Sequence, residues 1–455
     1  MSCIEENCNL QVFQNKKCIL HCNKNNWYSI QDSLIFGPEQ NTLDIEKSKL
    51  DFFWNTFIEI YSKNKTKELT IEKIHFPISK ETPFLLSQVL EKLAPNNILL
   101  SECIFYDNTN ITSYEQNKFT LQEFKVVNTL IIGELYITNV KFDNIDIVDC
   151  DIPSLRIQMS LIENLNIVGN KSNNKIIRNI NTAGSKINNF FKLKDLKLEE
   201  LFLNDTSIKN TILKNILVKN YFNLENTTFE IRLDFYNVEY LNTINLDSAK
   251  IPDETNFEEF KFDININKIS RKTSRQIKHS FEKIGNRIDA NKFHSIELSA
   301  RENELKKDFY KSMDIFLSFI IFFFHGLTSR HSRDYLLPLI WIISISMHTN
   351  IGFIRQGVFA FDVFIISGSL HLILILFSFV TNSKYFVAIS SICIVSLFYV
   401  LIGKEFSFES ILQFTNILNQ KVFDEKFSVI LFTNKILLGY LYYQFITSVR
   451  KDTKK

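Results

Sequence analysis

Five residues near the N-terminus carry the side chains best suited to metal chemistry. Cys3, Cys8, Cys18, His21 and Cys22 all lie within the first 22 residues. Zinc prefers thiolate sulphur and imidazole nitrogen, and structural zinc sites use four such ligands in a tetrahedron. Cys3, Cys8, Cys18 and His21 form the neater set, because two residues then separate the last pair, as in a metal knuckle. Which four of the five bind zinc stays open, as does the alternative that all are reduced thiols without a metal.

The start of the chain indicates the surroundings of this Cys/His module, residues 1–30. The segment MSCIEENCNL has no basic stretch followed by an apolar run, so the sequence predicts no secretory signal. Cytosolic thiols stay reduced, and clustered cysteines there are typical of metal sites. Four protein ligands would leave no open position for water, which favours a structural or partner-binding role over catalysis.

Composition excludes several classes of function. The chain has 52 Lys and Arg against 50 Asp and Glu, a formal net charge of +2, so no nucleic-acid partner is expected. It has only 11 glycines and contains no Walker A, GxGxxG, GxSxG or HExxH motif. We therefore predict that the protein is not an enzyme. Its 455 residues allow two to four structural units.

The central segment repeats every five residues. Large apolar residues recur at that spacing at Val127, Ile132, Ile137, Phe142, Ile147, Ile152, Ile157, Ile162 and Ile167, then at Leu193, Leu198, Leu203, Ile208, Leu213 and Val218, and finally at Leu241, Leu246 and Ile251. A helix would rotate such residues off a common face, and a strand would point alternate ones to opposite sides. A coiled chain that turns a corner every five residues can point all of them inward. The sequence therefore predicts a solenoid.

This pattern resembles the pentapeptide-repeat family, in which a small or apolar residue lies two positions before a central Leu or Phe. Leu135, Val140 and Ile145 fill that position here with bulky side chains, whereas Ala249-Lys250-Ile251 has the preferred small one. The resemblance implies a right-handed, four-sided β-helix with about twenty residues per coil. We expect this β-helix over residues 67–265, after a helical linker over residues 31–66.

Residues 270–312 are predicted to form a basic helical link. Ile277, Phe281, Ile284, Ile288 and Phe293 follow helical spacing, with a break at Gly285-Asn286. This link could cap the solenoid or contact anionic lipid headgroups. The next segment, residues 313–330, is apolar but too short to span a bilayer, which predicts an interfacial helix.

Four longer apolar segments predict a transmembrane four-helix bundle within residues 334–455. They cover residues 335–354, 361–380, 385–403 and 427–449, each of the length that a bilayer requires. Arg330 and Arg333 precede the first segment, and Arg450 and Lys451 follow the last. Positive residues remain on the cytoplasmic side, so we expect a multi-pass protein of the bacterial inner (cytoplasmic) membrane with both termini in the cytoplasm.

Polar residues inside these segments are candidates for a transport path. His371 lies at the centre of the second segment, with Ser367 and Ser378 at helical spacing on the same face. Lys435 lies inside the fourth segment. The alternative for His371 is an interhelical hydrogen bond that stabilises the bundle.

These features favour an integral membrane protein that presents its β-solenoid as a non-catalytic docking or scaffold surface. The expected partners are the lipid bilayer and a cytosolic protein, and a homo-oligomer stays open. The alternative is a sensor-gated ion channel or transporter, including a toxic or defence-type membrane effector.

Overall fold

The computed structural model describes most of the chain in two compact units, Met1–Gln276 and Ile277–Lys455. The described residues are 3–5, 8–24, 27, 40–63, 67–77, 86, 89–90, 93–106, 108–112, 120–169, 177–253, 255, 257, 260–262, 269–354, 358–378, 383–401, 408–416 and 425–453. Part of the predicted linker, residues 31–39, lies outside them.

The described residues of the first unit form one long helix and seventeen strands. The helix is α1 (Gln40–Ser62). The strands are β1 (Glu68–Glu72), β2 (His75–Phe76), β3 (Asn97–Ser101), β4 (Ile104–Phe105), β5 (Thr109–Thr112), β6 (Thr120–Val127), β7 (Leu130–Ile131), β8 (Glu134–Thr138), β9 (Lys141–Val148), β10 (Ile152–Gln158), β11 (Leu161–Val168), β12 (Ile177–Asn181), β13 (Lys186–Phe202), β14 (Ser207–Asn223), β15 (Thr228–Tyr240), β16 (Thr243–Asn245) and β17 (Phe260–Phe262).

These strands form a β-solenoid of about six turns, as the five-residue period predicts. All of its named strand pairs are parallel, and the main sheet follows the order β1-β3-β6-β9-β11-β13 before continuing through β12, β10, β8 and β5. Successive coils stack residue on residue: Ile147 lies beside Ile167, and Ile167 beside Leu193. The strands β13 and β14 are long enough to pair along two faces of the coil.

The five-residue series identifies the core of the solenoid with four exceptions. From Ile137 to Ile167 and from Leu193 to Val218, every member is buried. Val127 and Ile251 are only half-buried, and Ile132 and Leu241 are exposed. At three of these positions the preceding residue occupies the interior instead: Val126, Ile131 and Tyr240. The bend at residues 132–133 contains one extra residue, which shifts the register before Ile137 by one position.

The corners of the coils explain why the solenoid is rich in Asn and Asp. Two corners recur in left-handed backbone conformation, one at Lys73, Glu102, Asn128, Asp149, Asp195, Asn215 and Asn237, the other at Asn139, Met159, Gly184, Asp205, Asn226 and Ser248. Among residues with a side chain, Asn and Asp adopt this conformation most readily, because their short polar groups can hydrogen-bond locally. The same side chains also bond from coil to coil: Asn215 Nδ2 donates to Asp195 Oδ1 at 2.7 Å, and Asn237 Nδ2 to Asn215 Oδ1 at 3.1 Å.

The C-terminal end of the solenoid is covered by the start of helix α2 (Arg271–Lys283). Leu246 N donates to Thr273 Oγ1 at 2.9 Å, and Gln276 Nε2 donates to Ala249 O at 2.7 Å. The Ser270 hydroxyl bonds to Asp247. These contacts pair backbone groups that the last coil would otherwise leave without a partner.

The second unit is helical. Besides the rest of α2 it contains α3 (Arg287–Asp308), α4 (Met313–Ser329), α5 (Leu336–Ile354), α6 (Val358–Ser378), α7 (Lys384–Leu401), α8 (Phe408–Thr415) and α9 (Glu425–Thr453). Helix α5 is central and packs against α6, α7, α8 and α9. Leu337 and Trp341 of α5 meet Val387 of α7 and Leu438 of α9 in one apolar cluster.

The predicted helical link is a pair of helices that separates at Gly285-Asn286. Gly285 has a φ of +79°, and Asn286 caps α3 by accepting a hydrogen bond from Asp289 N. Phe281 and Phe293 stack with ring centroids 5.8 Å apart. Ile284 and Ile288, predicted to share the buried face, are instead among the exposed apolar residues. They flank the break, where the helical period is interrupted.

Among the described residues, one helix is long and apolar enough to cross a membrane, Lys384–Leu401. The apolar helical segments Met313–Ser329, Leu336–Ile351 and Asp362–Phe377 are shorter. The four predicted segments all coincide with helices. Length and composition thus support one span, and the four-span topology stays a prediction.

The turn between α4 and α5 has an unusual backbone. Arg330, His331 and Ser332 are three consecutive residues with side chains and positive φ, at 48°, 59° and 62°. Such a left-handed turn costs roughly 1–2 kcal/mol per residue relative to the ordinary conformation. The backbone N–H groups of Arg333 and Asp334 both donate to Ser329 O at 3.0 Å and close the turn. Contacts elsewhere must offset its cost.

The corner ladders give a test of the solenoid. Asn215→Ala would remove two coil-to-coil hydrogen bonds and place alanine in a left-handed conformation, so we expect the free energy of unfolding to fall by about 1–2 kcal/mol. Asn220→Ala, at an exposed strand position, is the control and should change it by less than about 0.5 kcal/mol. Chemical denaturation of the purified full-length protein measures both. Equal effects of the two substitutions would contradict the stabilising role of the ladder.

Candidate metal centre

A turn and a short helical segment bring the Cys/His module together. Asn15 and Lys16 turn the chain with positive φ, and Phe13 N then donates to Lys17 O at 2.8 Å. Beyond this turn, His21 N and Cys22 N both donate to Cys18 O, at 3.2 and 3.0 Å. This helical turn places Cys18 and His21 on the same side of the chain.

Cys3, Cys8, Cys18 and His21 place one ligand atom each within 4.8 Å of the others. Cys18 Sγ lies 3.2 Å from His21 Nδ1 and 3.6 Å from Cys8 Sγ, and Cys3 Sγ lies 3.6 Å from His21 Nδ1. Ligands around a tetrahedral zinc ion are separated by about 3.5–3.8 Å, as follows from Zn–S near 2.3 Å and Zn–N near 2.0–2.1 Å. The donor set and its spacing therefore fit a metal ion of this kind.

Burial shifts the pKa of most of the ligands. It raises the pKa of the Cys18 thiol to about 12 and also raises the pKa of Cys8. Burial acts in the same direction on Cys3, but hydrogen bonds from the backbone at Glu5 and Cys18 outweigh it and lower the pKa of Cys3. Burial lowers the pKa of His21, which keeps its imidazole neutral at pH 7. A bound metal would compensate the cost of thiolates in this buried position.

Cys22, the fifth candidate, points elsewhere. Its side chain is buried, and its Sγ lies 3.5 Å from Ile19 O as a donor. Burial raises the pKa of its thiol. It is not part of the four-residue cluster, so the geometry selects Cys3, Cys8, Cys18 and His21 from the five.

A buried lysine stabilises the Cys/His module, and the sequence analysis did not identify it. Lys24 has no exposed surface, and its Nζ donates to Leu20 O and Cys22 O, both at 3.0 Å. The ammonium also lies 5.0 Å from the centre of the Phe53 ring, an aromatic of α1, where cation–π attraction applies. Burial lowers the pKa of Lys24 to about 8. No sequence signal marks this lysine, because its burial depends on a helix far along the chain.

The module packs on the first coil of the solenoid and on α1. His75 N, in β2, donates to Leu20 O at 3.0 Å. Trp27 meets the Phe53 ring edge-on, and Phe53 in turn packs against Phe76 of β2. The Cys/His module and α1 thus cover the N-terminal end of the solenoid.

Two of the four predicted polar residues of the helical unit, Ser367 and His371, lie together. His371 Nδ1 donates to Ser367 O at 2.7 Å, within α6. Ser367 is buried, and its Oγ lies 3.0 Å from Nδ1 of His348 in α5. The His348 and His371 rings are 5.0 Å apart. His348, which sequence reasoning gave no role, therefore joins His371 to the neighbouring helix through Ser367.

The hydrogen bonds of this pair join His348, Ser367 and His371, and the other two predicted residues are Lys435 and Ser378. Lys435 is half-buried on α9, and the side chain of Ser378, at the end of α6, lies outside the described part of the chain. A cavity of about 630 Å³ lies beside the histidine pair. Its lining is mainly apolar and includes Trp341, Phe364 and Leu437.

Comparisons with known protein families, with curated proteins and with solved structures found no match to this chain.

Substitution of neighbouring cysteines tests the metal centre. We expect the purified protein to contain about one metal ion per chain, and Cys18→Ser to lose it because three ligands remain. Cys22→Ser removes an equally buried thiol outside the cluster and should retain the metal. Elemental analysis measures the metal content of each variant, and metal loss in both or in neither would contradict the assignment.

Removal of the metal by a chelator should also lower the melting temperature of the protein, because the free energy of metal binding contributes to folding.

Proposed function

We propose that this protein is an integral membrane protein that displays its β-solenoid in the cytoplasm as a non-catalytic docking surface, with zinc in the N-terminal module. The observation that carries the proposal is the position of the Cys3, Cys8, Cys18 and His21 cluster. Four protein ligands fill a tetrahedral site, and the module packs on the first coil through Leu20 and His75. Such a site stabilises a surface rather than activating a substrate.

The donor set supports zinc as the metal. Three thiolates and one imidazole are a frequent ligand set of structural zinc, and Cys18 with His21 has the spacing of a knuckle. The sequence resemblance supports right-handed, four-sided coils of the pentapeptide-repeat kind. In such a solenoid the side chains between the buried positions face outward in fixed rows, which gives a partner protein a rigid surface.

The outer faces of the helical unit support insertion in a bilayer. Large apolar side chains are exposed on several helices, among them Leu372 and Ile373 on α6, Phe386 and Val400 on α7 and Phe432 on α9. Soluble proteins rarely expose this much apolar surface on adjacent helices. A lipid environment would cover these faces without cost, as in a bundle of four spans.

The interior of the same helices is polar at several points. Ser344 of α5 and Ser391 of α7 share a hydrogen bond between buried hydroxyl groups. Asn350 Nδ2 of α5 donates to the Tyr399 hydroxyl of α7 at 2.7 Å. Interhelical hydrogen bonds of this type stabilise helices that pack within lipid. Apolar residues outside and polar pairs inside are the arrangement expected of membrane helices.

Site-specific crosslinking in intact cells tests the docking role. A photo-crosslinking residue in place of Met159 or Ile231, both exposed on the solenoid, should give an adduct with one discrete cytosolic protein in the membrane fraction. The control is the same residue in place of Tyr310, which is exposed between α3 and α4. Recovery of the chain in the soluble fraction, or no discrete adduct from either solenoid position, would contradict the proposal.

A channel or transporter is the second candidate, and the His348–Ser367–His371 contact beside the cavity favours it. Ion flux through the full-length protein in sealed liposomes decides between the two. A channel predicts flux that His371→Ala abolishes and that Ser369→Ala, an exposed serine of the same helix, leaves unchanged. If liposomes with the wild-type protein show no ion flux, the channel is contradicted and the docking role remains as the proposed function.

A further inference from the structure

The left-handed turn at residues 330–332 carries a continuous chain of buried hydrogen bonds. His331 has a fully buried side chain, and its Nε2 lies 2.8 Å from Glu302 Oε2 of α3. Its Nδ1 lies 3.3 Å from Nδ1 of His325 in α4. Nε2 of His325 lies 3.1 Å from Ser332 Oγ. The chain therefore joins α3, α4 and the turn through side chains alone.

The donors and acceptors in this chain follow one order when both imidazoles are neutral. A carboxylate accepts, so His331 Nε2–H donates to Glu302 and leaves His331 Nδ1 as an acceptor. His325 Nδ1–H must then donate to His331, which leaves His325 Nε2 to accept from the Ser332 hydroxyl. Each neutral imidazole thus donates once and accepts once, and no nitrogen is without a partner.

The same cluster ties the turn to α9. Gln444 Oε1 lies 3.0 Å from Ser329 Oγ and 3.3 Å from Ser332 Oγ. Ser332 N donates to Ser329 Oγ at 2.9 Å. The Ser332 hydroxyl has one proton and donates it to His325. The Ser329 hydroxyl is therefore the donor that holds the turn against Gln444 of α9.

Gly326 leaves no space between the helices at this point. A Cβ at residue 326 would lie 2.4 Å from Glu302 Oε2, 2.6 Å from Lys384 Nζ and 3.2 Å from His331 Nε2. Lys384 Nζ at the start of α7 is 3.7 Å from Glu302 Oε2. The backbone of α4 thus approaches an ion pair closely, and the cluster has little room to admit water while it is closed.

We propose that the His325–His331 pair is a proton-sensitive latch, which holds the left-handed turn against α3 and α9 while both imidazoles are neutral and releases it on acidification. The turn itself is strained, so it persists only while the free energy of its contacts exceeds the cost of its left-handed backbone. Loss of the latch therefore opens the turn locally rather than unfolding the whole unit.

The charges around the pair determine how it responds to protons. Glu302 favours a charged imidazole, whereas Lys384 of α7 and Lys451 of α9 oppose one, and His294 of α3 opposes one at His325. Two charged imidazoles would also bring two Nδ1–H groups face to face at the 3.3 Å separation. The closed arrangement therefore cannot accommodate His325 and His331 when both imidazoles are charged.

Burial sets the direction and the range of the response. It lowers the pKa of His325 to about 4, with the neighbouring His331 acting in the same direction, and it lowers the pKa of His331 despite Glu302. In the open turn, both imidazoles would titrate near their ordinary pKa of about 6.5. A lowered pKa means that the open form binds more protons, so closure is fully favoured above about pH 6.5 and weakens as pH falls towards about 4.

Hydrogen exchange of the full-length protein, held in detergent or nanodiscs, tests the latch. The amides of residues 326–334 report it, and their rates are corrected for the intrinsic effect of pH. We expect protection in the wild type to fall about tenfold or more between about pH 7.5 and 5. His325→Gln with His331→Gln should abolish this pH dependence. His279→Gln, which changes an exposed histidine of α2, should preserve it.

Glu302→Gln gives an independent test that does not require the double variant to fold. It removes the charge that favours a protonated His331, so the loss of protection on acidification should become larger than in the wild type. Protection that is constant across this pH range in the wild type would overturn the latch. Full pH dependence in the double variant, or an unchanged response in Glu302→Gln, would overturn it as well.

Discussion

Parallel pairing between successive coils is the constraint on which the first unit depends. In the described strands, backbone groups of an interior coil pair with the coil before and the coil after, as the row of Ile147, Ile167 and Leu193 illustrates. The two terminal coils have no such neighbour on one side. An uncovered edge of this kind would cost free energy and would also template pairing with another chain. The Cys/His module with α1 covers one end, and the start of α2 covers the other. A repetitive solenoid therefore requires these two non-repetitive segments at its ends.

This constraint explains the chemistry of the N-terminal module. A segment of about thirty residues cannot bury enough apolar surface to fold alone, and here its carbonyl groups are held by Lys24 and by the first coil. A metal ion would supply the remaining stability, since four ligands from separate parts of the loop would be fixed at one point. The module and the solenoid then stabilise one another, because the coil offers His75 N and the module offers Leu20 O.

Much of the solenoid could be predicted from sequence because one period determines which side chains point inward. Phe142 to Ile167 are buried at every fifth residue, and the register at Leu193 to Val218 is equally regular. The series fails at Val127, Ile132 and Leu241, where a bend adds a residue or a neighbour fits the interior better, and a fixed period cannot express either. It also fails at Ile251, its last member, which is only half-buried. The four metal ligands could be predicted because Cys and His are rare in the sequence and clustered here. The roles of Lys24, Glu302 and His331 could not be predicted, since these side chains are enclosed only when distant helices pack.

The regular stacking of the coils also fixes a distance. Each coil advances the solenoid by one strand spacing, about 4.8 Å, so about six turns separate its two covered ends by roughly 25–30 Å. Gain or loss of one complete coil would change this separation by a single increment and leave every other contact in register. An added loop at a corner would leave it unchanged. The solenoid is thus a molecular ruler, and its length can vary in steps without altering either of the ends that it holds apart.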